Sequence, residues 1–220
     1  MFDPLLVANS IIEWHLIKGL YPSHLRVQKL LYYIHGNFLG YTKRPLLTQP
    51  LEAWPNGPVS PRVYYALNPR ETRGPLSPIK WQILIPDISP NQEAAPANLR
   101  MFEGNGWADY AREVVEKVCT SLKNVDEETL VERTHNESPW LTARDEFFEI
   151  FDREPMRGDC QTISNALIYK YFHDQLIKNT FIASEQAQKH GQQGTPTIRP
   201  FPYGVEGISD SGTNLIQGVE

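Results

Sequence analysis

Cysteine is scarce in this chain of 220 residues, and so are long runs of apolar residues. Its two cysteines, Cys119 and Cys160, cannot build a disulfide framework or a zinc site with the usual ligand spacing. No segment approaches the roughly 20 apolar residues of a membrane-spanning helix, and the start MFDPLLVANS lacks the basic region of a signal peptide. These absences favour a cytoplasmic protein.

Positive charge is also in the minority. The chain has 21 Lys and Arg against 26 Asp and Glu, a formal net charge of -5. Proteins that bind nucleic acid usually present a basic face to the phosphates, so we expect no nucleic-acid partner. The acids concentrate in residues 124–159, where eleven of them accompany four arginines. Such a segment could steer a basic partner, although solvated acidic faces are common and need no function.

Motifs for catalysis or metal binding are missing as well. The six histidines form no H-E-x-x-H pattern, and no serine lies in a G-x-S-x-G turn. The short stretch Gly104-Asn105-Gly106 follows no predicted strand and does not indicate a phosphate loop. We therefore expect no catalytic residue, no metal and no cofactor.

What is present is the composition of a folded domain, with 40% hydrophobic and 11% aromatic residues. Capping residues and apolar spacing predict helices from about Pro4 to Lys18 and from Ser23 to Gly40. Further helices are predicted to start at Ser60-Pro61, near Asp109 and after Asp126, and to span 140–151 and 164–178; strands are predicted at 50–53 and 79–85. The expected class is α+β, mostly helical, with a small antiparallel sheet of two or three strands.

The same pattern suggests how the chain is divided. Residues 1–178 are expected to form one domain with an insertion at about 68–106, in which 87–106 is rich in proline, glycine and asparagine. Residues 179–220 are rich in Gln, Gly, Ser, Thr and Pro and have few apolar clusters. We expect them to form a flexible tail that is available to bind a partner.

Two motifs carry a resemblance to a known family. The first runs from the helix Gln28-Lys29-Leu30-Leu31-Tyr32-Tyr33 through the strand Leu51–Trp54 and the turn Asn56-Gly57-Pro58-Val59 to Pro61-Arg62-Val63-Tyr64. The second is Leu130 followed by Thr134-His135-Asn136-Glu137-Ser138-Pro139-Trp140. In this order the pieces resemble the Panacea domain, also called the SocA-like antitoxin domain.

The resemblance implies an antitoxin of a toxin–antitoxin system, of the kind associated with phages or mobile elements. Proteins similar to this one bind and silence a toxin encoded beside them, and one member delivers its toxin to a protease. The implied partners are a cognate protein toxin and, in the adaptor case, a protease complex. Homo-oligomerisation is left open, and no enzyme activity is implied.

The candidate interface residues are those that the motifs supply: Gln28, Lys29, Tyr32, Trp54, Gly57, Pro58, Tyr64, His135 and Trp140. A structural interpretation stands beside the functional one. Gln28 could satisfy buried backbone groups near the Trp54 turn, Tyr32 could fill the core, and Trp54 could be a core plug or an interface anchor. Trp54, Tyr64, Tyr65, Trp107 and Trp140 are expected to supply exposed aromatic surface.

Two other functions compete with the antitoxin interpretation. One is a small cytoplasmic enzyme with a pocket around Gln28, Tyr32 and His135, which crowding of groups with shifted pKa values in one cleft would favour. The other is a transcription regulator that uses the first two helices as a helix-turn-helix, against which the acidic balance argues. Partner specificity is expected in the parts beyond a minimal domain, namely 68–106 and the tail after Asn179.

Overall fold

The computed structural model describes residues 1–67, Leu76 and 107–189, with side chains as far as Asn179. Within these ranges the helices are α1 Pro4–Ile17, α2 His24–Thr42, α3 Pro61–Leu67, α4 Ala108–Leu122, α5 Glu127–His135, α6 Ser138–Phe151 and α7 Asn165–Lys189. The strands are β1 Leu51–Trp54, β2 Gly57–Val59 and β3 Thr162–Ile163. The predicted class, α+β and mostly helical with a small antiparallel sheet, is confirmed.

The chain divides into two compact units, Met1–Asn179 and Thr180–Glu220. Of the second unit only the continuation of α7 to Lys189 is described. The strand predicted at 79–85, the loop at 87–106 and the rest of the tail lie outside the described residues. The insertion at 68–106 and the flexible, partner-binding tail stay predictions.

Short capping motifs set the starts of several helices. The Asp3 carboxylate accepts a hydrogen bond from Leu5 N at 2.9 Å, with Pro4 in the first turn, and Ser23 Oγ accepts one from Arg26 N at 3.1 Å. The Asp126 carboxylate accepts one from Thr129 N at 2.7 Å. Each of these side chains satisfies a backbone N–H that has no partner within its helix, so these starts could be read from local sequence.

Glycine at position 40 misled the prediction of where α2 ends. The helix continues to Thr42 and ends with Lys43 in a left-handed conformation. A Cβ at Gly40 would lie 2.9 Å from Phe172 Cβ, and one at Gly36 would collide with the Phe172 ring. The two glycines are therefore close-approach sites for α7, which continues to Lys189 instead of ending at the predicted Lys178.

The sheet has the strand order β2-β1-β3, and both pairings are antiparallel. The β1–β2 hairpin pairs Trp54 with Gly57 across the two-residue turn Pro55-Asn56, and Gly57 has φ +94°. The predicted turn is thus present, but Gly57, Pro58 and Val59 also form a strand that was not predicted. The two residues of β3 were not predicted either, because a strand that short has no periodicity.

Helix α2 lies at the centre of the domain and packs against α1, α3, α4, α5 and β2. The apolar residues whose spacing predicts this helix are at most 2% exposed: Val27, Leu30, Leu31, Ile34 and Phe38. The spacing prediction for this helix is confirmed. The central position of α2 also decides where the residues of the first motif project.

Candidate functional site

The two motifs meet inside the domain at the carboxylate of Glu137. Tyr32 Oη donates a hydrogen bond to Glu137 Oε2 at 2.7 Å, and Tyr33 Oη donates to Oε1 at 2.9 Å, across more than 100 residues of sequence. The Tyr171 hydroxyl of α7 is a third donor. Burial raises the pKa of Glu137, while these tyrosine hydrogen bonds act in the opposite direction. Glu137 therefore joins α2 and α7 to the start of α6.

Lys29 lies completely buried beneath the β1–β2 hairpin. Its Nζ donates to the backbone carbonyl of Asn56 and, at 3.5 Å, to that of Pro58. Burial lowers the pKa of Lys29 to about 7, although the charge of Glu137 acts to raise it. A Cβ at Gly57 would meet Lys29 Nζ and lie 2.6 Å from Thr134 Oγ1. The hairpin thus rests directly on α2 and α5, and glycine is required at the contact.

Trp140 of the second motif holds the β1 side of the same hairpin turn. Its Nε1 donates to the Trp54 carbonyl at 3.0 Å. His135 stacks on the Trp140 ring with centroids 4.2 Å apart and also hydrogen-bonds to the backbone of Pro55. Burial lowers the pKa of His135, and the positive charge of Lys29 lowers it further. A neutral histidine can fill this place without a counter-ion.

Gln28 follows the structural interpretation. Its Oε1 accepts a hydrogen bond from Ser60 N at 2.8 Å, and its Nε2 donates to Ser60 O at 3.3 Å. The side chain is 1% exposed, so these hydrogen bonds replace those that its amide would make with water. Gln28 satisfies both backbone groups of the residue that precedes α3, which positions the start of that helix.

The predicted exposed aromatic surface is only partly present. Trp54 and Trp140 are each 7% exposed, so the expectation was wrong for both, because each ring closes the hairpin against the domain. Tyr64 is half-buried between Trp54, at a centroid distance of 4.8 Å, and Arg157, whose Nη1 donates to its hydroxyl at 3.1 Å. Tyr65 is exposed, as predicted.

The structure therefore gathers the nine candidate residues around one hairpin and buries most of them. Groups with shifted pKa values do crowd here, as the enzyme interpretation requires, but Tyr32 and Glu137 are bonded to each other and largely shielded from solvent. In the described part of the chain, no group of three or more His, Cys, Asp or Glu side chains is arranged to hold a metal ion. The arrangement is suited to fixing a hairpin, and the interface role of these residues stays a prediction.

Sequence reasoning missed three members of this cluster: Tyr33, Glu137 and Tyr171. Tyr33 and Glu137 lie within the two motifs, and a lone acid among the apolar and small residues around Trp140 was a signal that could have been used. Tyr171 lies in the helix predicted at 164–178, outside both motifs. Its hydroxyl reaches Glu137 through packing that one sequence does not reveal.

The sequence that forms this site can now be compared with known proteins. Residues 27–141, which contain both motifs and make up 115 of the 220 residues, match the family described as Antitoxin SocA-like, Panacea domain. The chain belongs to this family. The resemblance expected from the two motifs is confirmed.

Part of the chain is also similar in sequence to a curated protein. The chain is 44% identical over 62 residues to Antitoxin SocA of Caulobacter vibrioides (strain NA1000 / CB15N). The aligned stretch covers 28% of this chain and 33% of that antitoxin, so the likeness spans about a third of the relative's length. No solved structure matches. Among the described residues, no helix is both long and apolar enough to span a membrane.

The variant Lys29→Met, which lacks the buried amine, should show a smaller increase in the free energy of unfolding than the wild type as pH rises above 7. Because its pKa in the folded domain is about 7 and its ordinary value is 10.5, the unfolded chain binds more protons between these limits. The stability of the wild type should therefore rise with pH in this window relative to Lys29→Met, by up to about 1.4 kcal/mol per pH unit. Urea denaturation at several pH values measures this difference. Parallel profiles would contradict it, and exposed Lys123→Met is the control.

Proposed function

We propose that this Panacea-domain protein is a cytoplasmic antitoxin that neutralises a co-encoded protein toxin by binding it directly. Family membership, with both motifs present in order, is the observation that carries the proposal. We further propose that it acts without catalysis. The clustered Lys29, Tyr32 and Glu137 make hydrogen bonds within the domain, which supports a structural role for them.

The proposal also assigns different roles to different parts of the chain. Because most motif residues are buried around the hairpin, we propose that the motif is a scaffold and that specificity is carried by 68–106 and by the tail after Asn179. A segment that orders on binding loses some affinity to its own ordering entropy, yet it can wrap a large partner surface. One scaffold could then serve different toxins.

Co-expression with the neighbouring gene tests both parts. We expect the neighbour alone to arrest growth, the full chain to restore it, and a chain truncated after Lys189 to restore it poorly. Trp54→Ala should also lose protection, because removing a buried tryptophan costs about 3–5 kcal/mol and loosens the hairpin. Thermal melting of each variant separates loss of fold from loss of contact.

Each outcome bears on a different part of the proposal. A neighbour that is harmless when expressed alone would end the antitoxin interpretation. A toxic neighbour that the truncated chain still neutralises fully would leave the antitoxin in place and remove residues 190–220 from its interface.

The mode of neutralisation can be separated in the same cells. If the antitoxin acts by occlusion, the two proteins should co-purify and the amount of toxin should be unchanged. If it acts as an adaptor for a protease, the half-life of the toxin should shorten when the antitoxin is present. A pulse-chase measurement of the tagged toxin distinguishes the two modes.

A further inference from the structure

Large apolar side chains are unevenly distributed over the described surface. Of the ten that are well exposed, five belong to α6 and the loop after it: Leu141, Phe148, Ile150, Phe151 and Met156. The other five are spread along the rest of the described chain: Met1, Ile17, Tyr21, Tyr65 and Ile177. Single exposed apolar residues are normal, whereas a cluster on one element is typical of a binding surface.

Helix α6 is apolar on two sides. Trp140, Ala143 and Phe147 point into the domain and are at most 7% exposed. Leu141 and Phe148 are exposed and seven residues apart, which places them on one face of the helix, away from the buried side. Packing within the domain accounts for the first set and leaves the second unexplained.

Acidic residues border this outward face. Asp145, four residues after Leu141, and Glu149, four residues after Asp145, are exposed and form no ion pair with any residue that the structure describes. The nearby arginines have other partners: Arg144 pairs with Glu154, and Arg153 with Asp159. The apolar stripe therefore has a border of uncompensated negative charge.

The negative charge beside this apolar face indicates which kind of binding partner fits it. A second copy of this chain carries a net charge of -5 and would bring the same acids to the contact. Residues 68–106 contain four basic and four acidic side chains, and residues 190–220 contain one arginine against three acids. None of these supplies an excess of positive charge. A foreign protein with a basic surface is the complementary occupant.

We propose that the outward face of α6, formed by Leu141 and Phe148 with the acids Asp145 and Glu149, docks a basic amphipathic segment of the toxin. The proposal rests on the antitoxin function proposed above and adds a contact within the described domain to those proposed for 68–106 and the tail. Apolar side chains of the segment pack on the stripe and account for most of the affinity. Its Lys and Arg side chains face the acids, which speed association at low salt.

Two double variants test the two components of this surface. Leu141→Ser with Phe148→Ser removes apolar contact, and Asp145→Lys with Glu149→Lys reverses the charge. The control, Ile17→Ser with Tyr21→Ser, removes two apolar side chains elsewhere that are more exposed than Leu141 and Phe148. Affinity and association rate are measured by surface plasmon resonance against the purified product of the neighbouring gene. Thermal melting confirms that each variant folds.

The apolar variant should weaken binding at least about tenfold, the loss expected for interface anchors. The charge variant should slow association about tenfold at low salt and reduce its dependence on salt. The control should stay within about twofold of the wild type, as expected for surface residues outside an interface.

The outcomes separate this inference from the function on which it rests. If the wild-type chain does not bind the neighbouring product at all, the antitoxin proposal and the docking proposal both fail. If the wild type binds and both α6 variants change affinity less than about threefold, a loss too small for anchors, the docking proposal alone fails. Sedimentation of the chain by itself checks a second copy as occupant. A dimer that the apolar variant dissociates would also overturn the proposal.

Discussion

Replacing Leu31 by alanine should lower the free energy of unfolding by about 2–5 kcal/mol. The side chain is completely buried in the middle of α2, where this helix contacts most of the other elements. Truncation removes three heavy atoms from a packed interior and leaves a cavity that the neighbouring backbone cannot fill. Urea denaturation followed by circular dichroism measures the loss.

Leu141→Ala is a matched control, since the same atoms are removed from an exposed face. Its cost should stay within about 0.5 kcal/mol, the range of most surface substitutions. Equal losses for Leu31→Ala and Leu141→Ala would contradict the central position of α2.

Gly57→Val should destabilise the domain by about 2–6 kcal/mol, from two separate causes. Its φ of +94° is strained for valine, at about 1–3 kcal/mol. The added Cβ would also collide with Lys29 Nζ and Thr134 Oγ1, and crowding of this kind costs about 1–3 kcal/mol more. The midpoint of thermal unfolding and the urea profile measure the total.

Gly158→Val isolates the backbone contribution. Gly158 has φ +100°, close to that of Gly57, but a Cβ added to it would meet no atom within 4 Å. Valine there should cost only the strain, about 1–3 kcal/mol. The difference between the two variants reports the contact of the hairpin with Lys29 and Thr134. If both cost the same, the hairpin does not rest on these side chains.

The helices could be predicted because their signals are local. Asp3, Ser23 and Asp126 each cap the helix that follows, and the spacing of Val27, Leu31 and Ile34 identifies the buried face of α2. Such signals depend on residues within one or two turns of each other. The starts of these helices were accordingly predicted well.

Errors arose where a residue has one role in local sequence and another in packing. Local sequence predicts a helix end at Gly40, but in the fold this glycine allows α7 to approach α2. Composition predicts exposed rings for Trp54 and Trp140, but the indole of Trp140 donates to the carbonyl of Trp54 and both rings are enclosed. A single sequence does not show which distant element covers a tryptophan.

The sequence by itself determined the fold class, the starts of the helices capped by Asp3, Ser23 and Asp126, and the two motifs that identify the family. Only the tertiary structure decided that Tyr32 and Tyr33 share the carboxylate of Glu137 and that Lys29 lies under the hairpin. It also decided that α6 keeps an apolar face toward solvent. The physical reason is range: caps and periodicity act over a few residues, whereas these contacts join residues brought together only by the packing of helices and sheet.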